Sequence, residues 1–312
     1  MLAVAGHRGV VAYEPTELVV TARAGTPLAE IETLLAQHGQ MLAFEPPYFG
    51  AAATVGGCVA CGLSGPRRPY AGAVRDHLLG VRLLSGRGEV LRFGGEVMKN
   101  VAGYDVSRLM AGALGTLGVL LEVSLKVVPR PAREETLRRP CNTVQAIETM
   151  NRWAASPVPL SGAAFDGEQL YLRLSGTQSG VGKARGLIGG DVLPDAGTFW
   201  ERLREHRHGF FGNSAPLWRL SVAPGSPPIE LPGKWLHDWG GAQRWLSGQV
   251  GGAQVRAAAE GAGGHATLFR GGDHDGAVFH PLTAPLMRLH RNLKAAFDPY
   301  GLFNPGRLYA DL

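Results

Sequence analysis

The first 130 residues alternate short apolar runs with polar turns, a pattern that predicts several strands and one early amphipathic helix. The helix is expected between Thr26 as its N-cap, followed by Pro27 as the first helical residue, and Gly39, because apolar residues recur there every three or four positions. Strands are expected where β-branched or alternating apolar residues follow one another, with a tight hairpin turn between the second and the third. These strands are predicted at 17–24, 78–84, 89–93 and 119–127.

The rest of the chain mixes helical and alternating patterns. A charged, proline-bearing segment at 129–140 has no periodicity and predicts a domain boundary. Thr198 and Glu201 have the spacing of a capping box at the start of a helix. Helices are expected after Asn142 or Thr143, at 199–206 and at 286–297, and strands at 169–175, 217–222 and 265–269. The last helix has a basic face that is expected to be solvated, formed by Arg288, Arg291 and Lys294.

A length of 312 residues with 45% hydrophobic positions is enough for two domains with substantial cores. Glycine, at 45 residues, has about twice its average share of ~7%, which is typical of a turn-rich protein. The net charge of +5 comes from scattered basic residues, without the basic runs and interleaved aromatics of nucleic-acid binders. It indicates anionic small molecules or acidic partner surfaces instead.

The chain shows no membrane-spanning or export signal. No apolar run reaches the ~18 residues of a transmembrane helix, and the first 17 residues lack the charged start and apolar core of a signal peptide. Cys58, Cys61 and Cys141 are too few for a disulfide framework and fit a reducing compartment. The expected location is therefore the cytoplasm.

The stretch from Ala53 to Gly118 carries the candidate chemistry, because glycine-rich turns alternate there with polar and basic residues. Glycines let backbone amides approach a ligand closely, and the guanidinium groups of Arg67, Arg68 and Arg75 could neutralise phosphate. Ordinary β-turns are the alternative, since a positive φ also favours glycine. Neither a GxxxxGK[ST] loop nor a GxGxxG between a strand and a helix is present, which argues against the common nucleotide-binding folds.

Five segments follow one another in this stretch in the order TVGG, SGPRR, VRD, KNVAGYD and GALGTLG. This order resembles the FAD-binding domain of the vanillyl-alcohol-oxidase and para-cresol-methylhydroxylase (PCMH) type, and the chain is similar to the FAD-binding subunits of bacterial glycolate oxidases. Four later segments extend the likeness over nearly the whole chain: FWERLREHRHGFF, LWRLSV, GGHATLFRG and LKAAFDPYGLFNPGRLY.

The resemblance implies the fold class α+β. It implies a PCMH-type FAD-binding domain at 1–130, a cap domain of antiparallel sheet with helices at 131–280, and a C-terminal helix and tail at 281–312 that return to the FAD domain. The first strand and the glycine-rich pyrophosphate loop of such domains are not recognisable. The FAD domain is therefore expected to be N-terminally shortened.

The resemblance also implies which residues bind FAD. They are polar residues and glycines of the stretch together with one asparagine near the C-terminal end: Thr54, Gly56, Gly57, Gly62, Ser64, Gly65, Arg67, Arg75, Asp76, Lys99, Asn100, Gly103, Asp105, Gly115, Thr116, Gly118, Val119 and Asn304. For Asp105 the alternative is a cap on a short helix that starts near Ser107. His77 is the only histidine in the stretch and is expected to be structural, so FAD is expected to be non-covalent.

No metal site is expected. Cys58 and Cys61 have CxxC spacing but no second pair. His206, His208 and His274 have no convincing third ligand at useful spacing, so they are expected to be surface residues.

The function implied by the resemblance is oxidation of a 2-hydroxy acid, such as glycolate or D-lactate, to the 2-oxo acid. The implied partners are a homologous catalytic FAD subunit and an iron–sulfur subunit that passes electrons to a quinone-level acceptor. Because the histidine-rich substrate pattern of the related catalytic subunits is absent, substrate oxidation is expected mainly on that partner. Peripheral attachment to the inner face of the membrane through the complex is an alternative to a purely cytoplasmic location.

Two rival functions stay open. A stand-alone FAD-dependent 2-hydroxy-acid dehydrogenase would need a general base in the cap domain, and His265 is the one catalytic candidate. A structural subunit that has lost FAD would account for the missing N-terminal loop.

Overall fold

The computed structural model describes residues 3–95, 104–272 and 278–312. The chain forms two compact units. The first unit consists of Met1–Gly65, Gly72–Arg130 and Leu282–Leu312, and the second consists of Pro66–Ala71 and Pro131–Pro281.

Both units combine antiparallel strands with short helices. The strands are β1 (Val10–Glu14), β2 (Val19–Arg23), β3 (Gln40–Met41), β4 (Leu78–Leu84), β5 (Val90–Gly94), β6 (Val119–Lys126), β7 (Val128–Pro129), β8 (Arg133–Pro140), β9 (Leu160–Phe165), β10 (Gln169–Gly176), β11 (Asp191–Val192), β12 (Leu217–Ser221), β13 (Lys234–Asp238), β14 (Gln243–Ser247) and β15 (His265–Arg270). The helices are α1 (Leu28–Gln37), α2 (Val55–Cys61), α3 (Arg68–Ala71), α4 (Val74–His77), α5 (Val106–Met110), α6 (Thr143–Ala154), α7 (Gln178–Ile188), α8 (Ala196–Arg204), α9 (Gly252–Gly261) and α10 (Ala284–Phe297). Two 3-10 turns lie at Gly209–Phe211 and Trp239–Gly241.

A five-stranded antiparallel sheet in the order β1-β2-β6-β4-β5 is the base of the first unit. Val20 lies opposite Leu125, and Val81 lies opposite Val123, so the central strands place their apolar side chains in pairs. All four side chains are buried in the core that α1 and α2 also enter. The strands expected at 17–24, 78–84, 89–93 and 119–127 are confirmed as β2, β4, β5 and β6.

Strand β1 was not expected from the sequence. It pairs antiparallel with β2 at the edge of the sheet, with Glu14 opposite Val19. Most of its side chains are exposed or half-buried, and Val11 is 50% exposed. An edge strand of this kind carries little alternation, which explains why the sequence pattern did not predict it.

Helix α1 begins without the predicted threonine cap. Its N-cap is Pro27, which makes no side-chain cap hydrogen bond. Thr26 is fully buried, where its Oγ1 donates to the carbonyl of Arg23 at 2.7 Å and accepts from the Gly9 N–H at 2.9 Å. The threonine therefore fastens the segment before β1 rather than the start of the helix.

Helix α10 completes the first unit. Leu293 and Phe297 pack on the core of this unit, and Phe297 contacts Phe93 edge to face with ring centroids 6.3 Å apart. Lys294 was expected to be solvated, but its Nζ donates to the carboxylate of Asp298 at 2.7 Å and to the carbonyl oxygen of Thr116 at 2.8 Å. That prediction was wrong for Lys294, because this side chain ties the helix to the turn before β6. Arg288 and Arg291 are exposed.

The second unit is built on an eight-stranded antiparallel sheet in the order β11-β8-β10-β9-β13-β14-β12-β15. Helices α6 and α7 bury Met150 and Val181 against β8, β9 and β10. Helix α9 buries Val255 against Trp218 and Leu246 of β12 and β14. The strands expected at 169–175, 217–222 and 265–269 are confirmed as β10, β12 and β15, and the helix after Asn142 is confirmed as α6.

Several elements of the second unit differ from the sequence-based expectations. The segment 133–140, assigned to a boundary, is strand β8, whose charged side chains form ion pairs such as Arg67–Glu134 along the strand. Helix α8 begins at Ala196 after Asp195, so Thr198 lies inside the helix and forms no capping box. Elements β9, β13, β14, α7 and α9 were not predicted.

None of the helices in the described parts of the chain has the length and apolar composition needed to span a lipid bilayer.

Candidate functional site

Helix α2 carries the first group of predicted FAD residues. Thr54 is its N-cap, and its Oγ1 accepts from the N–H of Gly57 at 3.1 Å. A Cβ on Gly56 would lie 2.5 Å from the Cβ of Ala24, so this glycine is required by the packing of the helix against β2. Gly57 is exposed, and a Cβ there would meet only the hydroxyl of Thr54. Within this group, Gly57 is the glycine whose backbone faces open space.

The end of α2 meets the turn before β6. Gly62 ends the helix in the left-handed conformation with a φ of 66°, and a Cβ on it would lie 2.8 Å from the Cα of Gly112. The N–H of Leu114 donates to the carbonyl of Ala60 at 2.8 Å. The C-terminal end of α2, at Gly62, and the turn before β6 are thus in contact within the first unit.

The turn at 113–116 contains two predicted site residues, Gly115 and Thr116, and it contacts a third, Asn304. Leu114 and Gly115 have φ values of 50° and 68°, and the Thr116 N–H donates to the Ala113 carbonyl at 2.9 Å, as in a type I′ turn. Asn304 Nδ2 donates to the carbonyl of Leu114 at 2.7 Å, so the tail after α10 lies against this turn. The amide of Asn304 therefore stabilises the turn whether or not it also contacts a ligand.

Gly118 and Val119 follow directly. A Cβ on Gly118 would lie 2.9 Å from the carbonyl oxygen of Leu84, so glycine permits the close approach to the end of β4. Val119 is the first residue of β6.

The loop before β4 places a second group of predicted residues. Ser64 Oγ accepts from the Val74 N–H at 3.1 Å, the Gly65 N–H donates to the Phe44 carbonyl at 2.8 Å, and Asp76 Oδ2 accepts from the Ala73 N–H at 2.8 Å. These groups hold the loop itself. Arg75, by contrast, keeps 64% of its side chain exposed, and its ion-pair contact is Asp76 at 4.0 Å. Arg75 is therefore a cation whose donors are available to an anionic ligand.

Arg67 belongs to the second unit, unlike the other predicted residues that the structure describes. Its side chain is buried and donates to Glu134 Oε2 at 2.6 Å and to Ser175 Oγ at 3.1 Å. A buried arginine needs such partners. The ion pair to β8 gives this residue a structural role that the sequence did not predict.

Asp105 caps α5, with Oδ1 accepting from the Arg108 N–H at 3.1 Å. The capping alternative for this residue is confirmed. Lys99, Asn100 and Gly103 lie outside the described residues.

The residues present fit the phosphate-bearing part of FAD by their donor chemistry. Arg75 offers guanidinium donors, and Gly57 lets a ligand approach the backbone without a Cβ in the way. The phosphates of a dinucleotide are anionic groups that such donors bind. The donors of Arg75 and the open backbone at Gly57 therefore fit a phosphate-bearing ligand by their chemistry.

His265, the catalytic candidate, lies in the second unit at the exposed start of β15. Burial of its ring, followed by the charges of Arg219 and His280, lowers its pKa. The rings of His265 and His280 are 6.3 Å apart, and His280 Nε2 lies 3.0 Å from Glu260 Oε1. A histidine with a lowered pKa is neutral near pH 7 and can accept a proton. His280 and Glu260 were missed, because nothing in their sequence spacing relates them to His265.

His206 and His208 are not the surface residues that the sequence analysis expected. The His206 ring stacks on Phe211 at 4.0 Å and contacts Trp245 at 4.6 Å. Burial, then Arg270 and Arg219, lower the pKa of His206 to about 3. His208 is half-buried beside Phe199. Their ring contacts show that aromatic packing explains both histidines, and His274 lies outside the described residues.

The cysteine pair does not form a reactive site in this structure. Cys58 packs in the core of the first unit, and burial raises the pKa of its thiol. Burial also raises the pKa of the Cys61 thiol. Both thiols are therefore protonated at neutral pH. No cluster of three or more possible metal ligands occurs among the described residues.

Comparisons with known proteins define first the class of protein. Residues 1–94 match the family model of the FAD binding domain. A solved structure of alkyldihydroxyacetonephosphate synthase matches with a TM-score of 0.66 at 16% identity, covering 96% of this chain and 65% of that chain. The predicted fold class, with its PCMH-type FAD-binding domain, is confirmed. These two matches define the class of fold, with an FAD-binding domain in the first part of the chain.

The particular family follows from closer relatives. The glycolate oxidase subunit GlcE of Escherichia coli K12 is 52% identical over 306 residues, which are 98% of this chain and 86% of that protein. The chain therefore belongs to the GlcE family of glycolate oxidase subunits. The glycolate oxidase subunit GlcD of Bacillus subtilis is 39% identical over 84 residues, 27% of this chain and 18% of that protein. A D-lactate dehydrogenase of Anaerostipes hadrus is 28% identical over 199 residues, 58% of this chain and 41% of that protein.

Proposed function

We propose that this chain is the FAD-binding subunit of a glycolate oxidase-like complex that oxidises a 2-hydroxy acid to the 2-oxo acid. The observation that carries the proposal is the likeness to the glycolate oxidase subunit of Escherichia coli along 98% of the chain. The more distant D-lactate dehydrogenase supports the same substrate class, because lactate and glycolate are both 2-hydroxy acids.

In the first unit, Arg75, the backbone at Gly57 near the start of α2 and the turn at Gly115 would hold the cofactor. Arg75 would donate charge-assisted hydrogen bonds to the phosphates, and Thr116, fixed by Lys294, would keep the turn before β6 in place. When bound, FAD supplies two-electron redox chemistry. The protein contributes binding, orientation and charge, so the roles of Arg75, Gly57 and Gly115 are roles in binding.

The complex that we propose contains a homologous catalytic FAD subunit and an iron–sulfur subunit, and it lies in the cytoplasm or at the inner face of the membrane. The names of the related subunits, GlcE and GlcD, support several subunits in the related enzymes. The net charge of +5 supports contacts with acidic partner surfaces. Substrate oxidation would occur mainly on the catalytic partner.

A second candidate function is a stand-alone dehydrogenase with its own general base. The arrangement of His265, His280 and Glu260 favours it, because Glu260 orients His280 beside a histidine that is neutral at pH 7. A His265→Ala variant with unchanged turnover in the isolated chain would exclude this candidate.

The test of the first proposal is the visible absorption spectrum of the purified chain, alone and co-expressed with its partners, with released FAD counted per chain. One FAD per chain is expected. Arg75→Gln is expected to weaken FAD binding about 10- to 100-fold, the effect of removing a hydrogen bond to a charged group. Arg87→Gln is the matched control, because Arg87 is an exposed arginine in the β4–β5 turn outside the predicted site.

Two results would contradict the proposal. A chain without flavin in every preparation would leave a structural subunit that has lost FAD. Equal FAD affinities for the wild type and Arg75→Gln would remove Arg75 from the cofactor site while leaving FAD binding itself intact.

A further inference from the structure

The turn before β6, the end of α10 and the tail after this helix meet at the ammonium group of Lys294. Its Nζ donates to the carbonyl oxygen of Thr116 at 2.8 Å, to Asp298 Oδ2 at 2.7 Å and to the carbonyl oxygen of Phe303 at 2.6 Å. All of these residues belong to the first unit. One side chain therefore joins three segments of that unit.

The donors of this ammonium group are all used within the chain. A lysine ammonium carries three N–H donors, and Lys294 has three acceptors. Its side chain is 12% exposed and that of Asp298 is fully buried, whereas the side chain of Arg75 is 64% exposed. Lys294 therefore fixes the segments around it, and it could bind a phosphate only by giving up one of these bonds.

The carboxylate of Asp298 extends the same contact into the tail. Asp298 Oδ1 accepts from the Leu302 N–H at 3.0 Å, and Oδ2 accepts from the Phe303 N–H at 2.8 Å. The next residue, Asn304, has a φ of 41°, which is uncommon for a residue other than glycine. Its Nδ2 donates to the Leu114 carbonyl at 2.7 Å. Asp298 thus fixes the backbone directly before the amide that contacts the turn.

The hydrogen bond from Asn304 orients one backbone donor of the turn. The Leu114 carbonyl that accepts it belongs to the same planar peptide group as the Gly115 N–H, and the C=O and N–H of a trans peptide point in opposite directions. The Gly115 N–H therefore points away from Asn304. Among the described residues this N–H has no acceptor, whereas the N–H of Thr116 donates to the Ala113 carbonyl. Gly115 can thus donate to a ligand in a direction that the tail sets.

We propose that Lys294 and Asp298 are positioning residues for the turn at 113–116 and that the C-terminal tail contributes to cofactor affinity through them. Lys294 holds the carbonyl of Thr116, and Asp298 holds the tail from which Asn304 reaches the turn. A donor that is already oriented loses less entropy when a ligand binds, which raises the affinity. The binding of FAD at this turn rests on the proposed function, whereas the link between tail and turn rests on the hydrogen bonds.

The sequence shows only part of this arrangement. Lys294 and Asp298 are four residues apart, which is the spacing of an ion pair on one face of a helix. Thr116 lies 178 residues before Lys294, so no local pattern relates the pair to the turn.

The first test compares the FAD affinities of variants of the full-length chain, measured by titrating the flavin-free protein with FAD. Lys294→Met removes the ammonium group and is expected to weaken FAD binding about 10-fold, the effect of one well-placed hydrogen bond. Arg291→Met is the matched control, because it removes an exposed cation from the same helix. Its FAD affinity is expected to equal that of the wild type.

Leu293→Ala separates positioning from stability. Leu293 packs on the core of the first unit, so truncating it destabilises that unit but leaves the three hydrogen bonds of Lys294 in place. Folded Leu293→Ala is expected to bind FAD with wild-type affinity. An equal loss of affinity in Leu293→Ala and Lys294→Met would show that lowered stability explains both, and it would overturn the proposal. Wild-type affinity in Lys294→Met would also overturn it.

Hydrogen–deuterium exchange of the flavin-free chain gives a second readout that does not depend on FAD. In Lys294→Met we expect faster exchange in peptides that contain 113–116 and 302–304, relative to peptides from β2. Arg291→Met and Leu293→Ala should not show this local change. Unchanged exchange at both segments in Lys294→Met would contradict the link between tail and turn, even if the FAD affinity falls.

The two readouts distinguish failure of this proposal from failure of the proposed function. A wild-type chain that binds no FAD, with faster exchange at 113–116 in Lys294→Met, would overturn FAD binding and keep the link between tail and turn. A chain with one FAD whose affinity and exchange are unchanged in Lys294→Met would do the reverse. If Lys294→Met fails to fold, as judged by circular dichroism, Asp298→Asn tests the same arrangement, because an amide cannot form the ion pair. Wild-type FAD affinity and exchange in Asp298→Asn would then overturn the proposal.

Discussion

At the scale of single residues, the contact between Lys294 and Asp298 stands out because both side chains are withdrawn from solvent. Asp298 Oδ2 accepts from Lys294 Nζ at 2.7 Å and from the Phe303 N–H at 2.8 Å, and Lys294 also donates to the Thr116 carbonyl. Lys294→Met would leave a buried carboxylate without its cation. We expect the free energy of unfolding of the first unit to fall by about 3–5 kcal/mol, measured by chemical denaturation.

The same helix offers the control. Arg291 pairs with Asp311 on the surface, where both side chains are more than half exposed. Arg291→Met is expected to change the free energy of unfolding by less than about 0.5 kcal/mol, because exposed ion pairs contribute little. Equal losses of unfolding free energy in Lys294→Met and Arg291→Met would show that the buried ion pair stabilises the fold no more than the exposed one.

Residue roles in the site were only partly predictable. The resemblance predicted Asn304 and Thr116 as site residues, but it did not predict the hydrogen bonds that fix them, Asn304 to the Leu114 carbonyl and Lys294 to the Thr116 carbonyl. Those bonds join residues that are far apart in sequence, and no local pattern encodes them.

At the scale of elements, the sequence predicted the start of helix α6 correctly and the start of helix α8 wrongly. Asn142 Oδ1 accepts from the Gln145 N–H at 3.0 Å, and Gln145 reciprocates in a capping box at the start of α6. We expect Asn142→Ala to lower the free energy of unfolding by about 1 kcal/mol. Thr198→Ala is expected to be neutral within about 0.5 kcal/mol, because Thr198 lies exposed inside α8. Thermal unfolding of both variants measures this difference in stability. A larger loss of stability for Thr198→Ala than for Asn142→Ala would instead support Thr198 as an N-cap.

Elements with one strongly patterned face were predictable, and the others were not. Apolar residues alternate with other residues along strand β6, and they recur at helical spacing along helix α6. The sequence pattern therefore predicted both elements. Strand β8 reads REETLRRP and looks like a linker, because its charges are satisfied by ion pairs that the sequence does not show. Strands β13 and β14 carry polar residues among their tryptophans, and burial within the sheet outweighs their weak pattern.

At the scale of the whole molecule, the two units differ in the groups that respond to acid. The histidines with lowered pKa values, His206, His208, His237 and His265, all lie in the second unit. In the first unit the carboxyl group with a lowered pKa is that of Asp298. Its burial alone would raise the pKa, but hydrogen bonds from Lys294, Phe303 and Leu302 outweigh that effect.

These shifts set two pH windows. A histidine whose folded pKa lies below the unfolded value of about 6.5 contributes stability that is complete above that pH, and it is lost as the pH falls through 6.5 because the unfolded chain binds the proton first. Asp298 contributes stability that is complete above its unfolded pKa of about 3.9, and it is lost only below that pH. The second unit is therefore expected to weaken first on acidification.

All six tryptophans of the chain lie between Trp153 and Trp245, so tryptophan fluorescence reports on the second unit alone. Between pH 7 and pH 5 we expect the fluorescence-monitored free energy of unfolding to fall, with His206 contributing up to about 1.4 kcal/mol per pH unit below 6.5. His206→Phe keeps the stacking on Phe211 but cannot be protonated, and it should flatten this pH dependence. Asp298→Asn should leave the fluorescence curve unchanged over the same range. If His206→Phe retains the full slope, the aromatic cluster does not hold His206 in its neutral form.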